Sequence, residues 1–159
     1  MMIILTTPRC LIRPFERQDI ESFMAYRNDL DWMQHQSFKG LSYTEYENAL
    51  LGEQSLPHGM QLAIIDQATE ELIGDVYIQQ EDQTYWIGYT IAPTRARQGY
   101  AFEVMSGLIR HLADQGAEAF KAGVLETNEA SIALLKKLNF TYLTTELDEH
   151  IYRLDVSDM

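Results

Sequence analysis

A single cysteine, Cys10, is the only thiol in the chain, so no internal disulfide can form. It is expected as a buried or half-buried strand thiol in a reducing cytosol. A nucleophilic role would need a paired histidine, and nothing in the sequence places one beside it. Basic residues are scarce as well: 12 Lys and Arg face 24 Asp and Glu, a formal net charge of −12. That balance repels nucleic acid and anionic membrane surfaces. It suits a cationic partner such as an amine, or solubility alone. Long apolar runs are missing, because the opening Met1 to Leu5 stretch ends in Thr6-Thr7-Pro8-Arg9. A run that short makes neither a signal-peptide core nor a membrane span, and a cytoplasmic chain is expected. Linkers, low-complexity segments and internal repeats are also lacking. His35, His58, His111 and His150 are scattered without the paired or i, i+4 spacing of a zinc site, so no metal is expected.

What is present suits one domain over residues 1–159, with 46% hydrophobic and 23% charged residues. Arg9 to Phe15 reads as a strand and Asp19 to Asn28 as a helix, with Ile20, Phe23, Met24 and Arg27 on one face. Residues 29–41 form a loop rich in aromatics and amides. Ser42 and Glu45 have capping-box spacing and open a second helix reaching about Glu53. A turn at Leu56 to Gly59 leads into a hairpin, Gln61 to Asp66 and Leu72 to Gln80, and then a strand from Thr84 to Ala92. A helix follows from about Gly99 to Asp114, with Ala101, Met105, Leu108, Ile109 and Leu112 as its buried stripe. Phe120 to Leu125 is a strand and Ala130 to Leu138 a helix. Phe140 to Leu147 and His150 to Asp155 close the chain as a hairpin. This order predicts an α/β fold with a mixed central sheet flanked by helices.

The richest stretch starts at Thr90 and reads TIAPTRARQGYAFEV. It delivers a strand through a turn into a helix N-terminus, with Gly99 where the backbone must turn and Ala101 keeping the next step small. The first turn of a helix leaves N–H groups unpaired, and the helix dipole adds partial positive charge there. The junction therefore reads as an anion cradle, with phosphate as the guest.

Three blocks in order resemble the GNAT superfamily of acyl-CoA N-acyltransferases, in particular the branch of ribosomal-protein N-terminal acetyltransferases. They are LTTPRCLIRPFERQDIESF from Leu5, ELIGDVYI with WIGYTIAP and QGYAFEV from Glu71 to Val104, and VLETNEASIALLKKLNF from Val124. Nearly the whole chain is covered. The resemblance implies a GNAT-like fold in which two central parallel strands splay apart to admit acetyl-CoA as co-substrate. It also implies an amine-bearing acceptor, either a protein N-terminus or a small molecule, and allows a homodimer. Gln36-Ser37-Phe38 and Ile73-Gly74-Asp75 are similar to aminoglycoside-modifying relatives as well.

Carried onto this chain, the pyrophosphate loop comprises Arg97, Gln98, Gly99, Tyr100, Ala101 and Phe102. Gly99 and Ala101 match the family's small positions. Ala96 stands where a Gln or Arg leads the motif, and Arg97 where the branch often has a further Gly. Arg95 and Arg97 are the charges that would compensate. Thr90, Ile91 and Ala92 would offer backbone groups to the pantetheine arm and an N–H to the thioester oxygen. Asn128 and Ser131 match the family's Asn and small residue, and Asn128 equally fits a helix N-cap. Leu135 occupies the place where many relatives carry a Tyr that protonates the departing thiolate. Without that acid the reading divides between an enzyme whose thiolate leaves unaided and an acyl-CoA-binding module that senses without turnover. Asp75 and Glu126 are the candidate bases for the amine, each alternatively a structural carboxylate. Glu103 matches a frequent acidic position, which helix-dipole stabilisation also explains.

Overall fold

The computed structural model describes residues 4–159, so the first three residues of the opening apolar stretch lie outside the described residues. Strand β1 (Leu5–Thr6) and strand β2 (Cys10–Pro14) form a small hairpin at one edge of the sheet. The sequence reading gave a single strand, Arg9 to Phe15, and left Leu5–Thr6 unmarked, because two residues cannot show a period. A short 3-10 turn, Arg17–Asp19, leads into helix α1 (Ile20–Arg27), and helix α2 (Tyr43–Leu51) follows. Ser42 and Glu45 form the expected reciprocal capping box: Ser42 Oγ accepts the Glu45 N–H, and the Glu45 carboxylate accepts the Ser42 N–H.

Strands β3 (Met60–Asp66), β4 (Leu72–Glu81) and β5 (Thr84–Ile91) form an antiparallel meander. Helix α3 (Tyr100–Asp114) returns the chain to strand β6 (Ala119–Leu125), which lies parallel to β5. Helix α4 (Glu129–Lys137) leads to the closing hairpin, β7 (Thr141–Glu146) and β8 (Glu149–Asp155). The result is one eight-stranded mixed sheet in the order β1-β2-β3-β4-β5-β6-β8-β7.

Period-two alternation gives the sheet two faces. Along β3, Leu62 and Ile64 join the core under α3, while Ala63 and Ile65 join the aromatic cluster under α1 and α2. The buried stripe of α3 contains Met105, Leu108, Ile109 and Leu112 as expected, with Tyr100 and Val104 beside them. Ala101 is half-buried, packing against that core while also lining a cavity.

One register fact positions everything that follows. The parallel pairing of β5 and β6 covers only Thr84–Trp86 against Ala119–Lys121. Beyond it both strands continue, β5 to Ile91 and β6 to Leu125, without pairing to each other. The sheet opens there into a cleft.

Candidate functional site

Two cavities occupy the opening. A groove of about 600 Å³ runs from the α3 N-terminus along Thr90 and Ile91 to the first turn of α4. A pocket of about 450 Å³ lies between Ile87–Tyr89 of β5 and Ala122–Leu125 of β6, reaching the β7–β8 turn. Tyr89, Asn128, Ser131 and the loop residues Gln34, His35 and Gln36 line both, so the two spaces meet at that point.

The groove ends at an uncapped helix. Gly99 precedes α3 in the left-handed conformation at φ 81°, and among the described residues no side chain caps the helix start. Arg97 is also left-handed, at φ 60°. These two residues turn the loop so that it enters α3 with the amides of Tyr100, Ala101 and Phe102 at an open first turn, as an anion site requires. Arg97, Gly99, Tyr100, Ala101 and Phe102 line the groove, and Gln98 is exposed beside it with its amide on the Thr94 carbonyl.

The two candidate arginines part company. Arg95 is committed to Asp66 and Glu71, with Tyr100 Oη 3.4 Å from Nη1, so it braces the loop rather than standing free. Arg97 is exposed and enters no ion pair among the described residues. Lys137, whose Nζ lies 4.2 Å from the Phe102 ring centroid, is a second cation on the groove wall, and sequence reading passed it over.

Along β5, the backbone supplies donors to the cleft. Ile91 O accepts from Trp32 Nε1 at 2.9 Å on the open side, while the next N–H, of Ala92, bonds Ile73 O on the β4 side. Strand alternation then points the N–H and C=O of Tyr89 into the cleft. Thr90 and Ala92 face the other way, and Thr90 Oγ1 accepts from Arg27 at 3.2 Å. Across the opening, Asn128 caps α4, its Oδ1 accepting the Ser131 N–H at 3.3 Å, which leaves the amide NH2 free to donate. Tyr89 Oη and Ser131 Oγ lie 3.1 Å apart. Burial raises the Tyr89 phenol above its ordinary pKa, and the bond with Ser131 offsets part of that. Leu135 is 3% exposed and forms an apolar wall of the pocket.

Neither carboxylate singled out from sequence lines either cavity among the described residues. Asp75 is 1% exposed and faces α1, accepting from Tyr26 Oη and from Arg27 Nη2 at 2.6 Å, and from Gln61 Nε2 of β3 at 2.8 Å. Burial, then the Asp75 charge, raises the Tyr26 phenol well above its usual value. The Asp75 carboxylate is thus consumed by its partners. The Glu126 side chain is 73% exposed, with His150 Nε2 3.6 Å away. Glu103 joins the N-terminal strands to α3, accepting from Thr7 Oγ1 at 2.6 Å, Arg9 N at 2.8 Å and Arg9 Nε at 2.7 Å.

Glu149 is the carboxylate that sequence reading missed. It opens β8, lines the pocket with Asp148, and lies over Gly123 of β6. A Cβ at residue 123 would come within 2.9 Å of Glu149 Oε2, so a glycine in mid-strand makes the room. The only sequence signal was that glycine inside a strand pattern. His35 lines both cavities and makes no side-chain hydrogen bond among the described residues. Cys10 is fully buried away from the cleft, and burial pushes its thiol up to about 11. Among the described residues no group of three or more His, Cys, Asp or Glu could hold a metal ion, and no helix is long and apolar enough to cross a membrane.

The family model described as acetyltransferase (GNAT) domain matches residues 9–141. The uncharacterised N-acetyltransferase YoaA of Bacillus subtilis (strain 168) is 28% identical over 148 residues, covering 88% of this chain and 84% of that protein. The crystal structure of a GNAT-family acetyltransferase from Bacillus anthracis superposes with a TM-score of 0.84 at 20% identity, over 97% of this chain and 98% of that one. RimL, a ribosomal L7/L12 α-N-protein acetyltransferase solved in complex with coenzyme A, gives a TM-score of 0.83 at 18% identity, over 98% of each chain.

Proposed function

The chain belongs to the acetyltransferase (GNAT) domain family, and from that premise we propose that it transfers an acetyl group from acetyl-CoA to a primary amine by direct attack. The observation that carries the reading is the splay of β5 from β6. It joins a phosphate-suited groove to an acid-lined pocket at one point, bordered by Tyr89, Asn128 and Ser131.

The residues present suit such a co-substrate. The open first turn of α3, behind the left-handed Gly99, offers amides to a pyrophosphate, and Arg97 and Lys137 add charge. The cleft-facing groups of Tyr89 and Ile91, with the free amide of Asn128, would hold the pantetheine arm. Acetyl-CoA, when bound, supplies the acetyl group as a thioester. The N–H of Tyr89 would donate to the thioester oxygen as it gains charge. Glu149 would take the proton from the attacking amine, directly or through water, in place of Asp75 and Glu126.

For the acceptor, the pocket lining favours an amine that is cationic in solution. Among the described residues it carries Asp148 and Glu149 and neither Lys nor Arg. A protein N-terminus and a small amine, aminoglycosides included, both meet that description. A cytoplasmic setting suits the lone thiol. The test is release of free thiol from acetyl-CoA in the presence of peptide N-termini, polyamines and aminoglycosides. Thiol release with one class, matched by acetylated product in mass spectra, supports the proposal. Tight acetyl-CoA binding without release across the panel would favour the sensing module instead.

A further inference from the structure

Leu135 leaves a hydrocarbon where many relatives place a hydroxyl, yet the cleft contains a phenol that comes from the opposite wall. Tyr89 leaves β5 on the α3 side of the sheet, packs against that core, and crosses the opening to the first turn of α4. Its hydroxyl meets Ser131 Oγ one helical turn before Leu135, at the junction that both cavities share. A pantetheine arm running along the groove must end at this junction, because the acceptor pocket begins there. The ring is half-buried and the hydroxyl has one protein partner among the described residues, so it keeps a lone pair and a rotatable proton for a second one.

Resting on the acetyl-transfer reading above, we propose that Tyr89 is the hydrogen-bond and proton donor to the departing sulfur, with Ser131 orienting its hydroxyl. The amine lone pair forms the new nitrogen–carbon bond, and the carbon–sulfur bond breaks with its electron pair going to sulfur. Tyr89 Oη passes its proton to that sulfur and is reprotonated through Ser131 Oγ. The proton that the amine nitrogen gives up closes the balance: one proton leaves nitrogen and one arrives at sulfur. Burial raises the phenol above its ordinary pKa, which favours the protonated form that can donate.

The experiment compares the parent chain with Tyr89→Phe and Ser131→Ala, each first shown to fold by its melting curve. The first readout needs no turnover: the ultraviolet absorbance of the CoA thiolate is followed against pH in the bound complex. Binding to the parent chain should lower the thiol's ionisation pH. Tyr89→Phe should raise it again by about one to two units, the size of a hydrogen bond to a charged group. Calorimetry should find desulfo-CoA, which lacks the sulfur, bound equally by the parent and Tyr89→Phe. In turnover, Tyr89→Phe should lower kcat roughly 10–100-fold with KM for acetyl-CoA little changed. That is near the foot of the general-acid range, because a thiolate also leaves unaided. Ser131→Ala should cost less, since the phenol remains. A Tyr89→Phe variant with the parent's kcat and thiol ionisation would overturn the assignment while leaving acetyl transfer standing. A parent chain that neither binds CoA nor releases thiol would overturn both.

Discussion

Replacing Gly99 with valine separates backbone conformation from side-chain bulk at the head of the groove. A Cβ at this position would meet only Arg9 Nη2, 3.5 Å away, which is ordinary contact. Space is therefore not the obstacle, and the left-handed backbone at φ 81° is. An L-residue held there costs about 1–2 kcal/mol, with β-branched residues at the upper end. For a chain of this length that lowers the melting temperature by roughly 2–8 °C. Should valine relieve the strain by taking a negative φ, the amides of Tyr100 to Phe102 turn away from the groove. Each hydrogen bond to a charged group is worth about 1.5–3 kcal/mol, so losing one weakens CoA roughly 10–150-fold. Asparagine tolerates the left-handed region, so Gly99→Asn should keep most of the affinity. Calorimetry with CoA and with pantetheine, which has no phosphate, reads the difference. The expected pattern is loss of CoA affinity in Gly99→Val, partial retention in Gly99→Asn, and unchanged pantetheine binding in both. A folded Gly99→Val variant that binds CoA as tightly as the parent would refute the cradle.

Asp75→Asn leaves Arg27, itself 3% exposed, without its buried counter-ion, and should cost about 3–5 kcal/mol in urea denaturation while CoA still binds. Unchanged stability with lost turnover would return Asp75 to the catalytic list. Gly123→Ala should be cheap in stability, because only the far end of Glu149 must move, yet it should lower turnover toward the level of Glu149→Gln. Loss of a general base predicts about a 10²–10⁴-fold fall in kcat, with CoA affinity intact as the calorimetric control. Stability should also fall in acid. The Arg95 bond and the Ala68 amide hold Asp66 below the usual carboxylate range, and at Glu103 the bonds from Thr7 and Arg9 outweigh burial to do the same. A depressed folded pKa means the stabilisation is complete above the unfolded values of about 4 and is lost as pH drops through the folded ones. Urea midpoints should hold steady down to about pH 5 and then decline, and Glu103→Gln should shallow that decline.

The parts of the site legible in the sequence are those written in neighbouring letters. Gly99 followed by Tyr100 and Ala101 marks the groove's head, Ser42 and Glu45 their cap, and Asn128 with Ser131 the start of α4. Contacts between remote elements leave no such mark. Tyr89 and Ser131 stand 42 positions apart, and nothing in either segment announces that one reaches the other. Arg27 fell on the inward face of α1 by spacing, but its partner Asp75 lies 48 positions on, so its burial became intelligible only in three dimensions. Asp75 looked available for chemistry because a strand pattern gives a residue's face without its neighbours. Glu149 was passed over because its carboxylate reaches the cleft by leaning over a glycine of the adjacent strand.

The measurement that bears most directly on where the co-substrate sits is an amide chemical-shift titration of the isotopically labelled chain with CoA. The largest shifts are expected at the N–H groups of Gly99 to Phe102, at Tyr89 and Ile91 of β5, and at Asn128 to Ser131. Resonances of β1 and of the exposed strand β7 should stay still. Shifts concentrated outside the β5–β6 opening, with the α3 N-terminus unmoved, would contradict the placement.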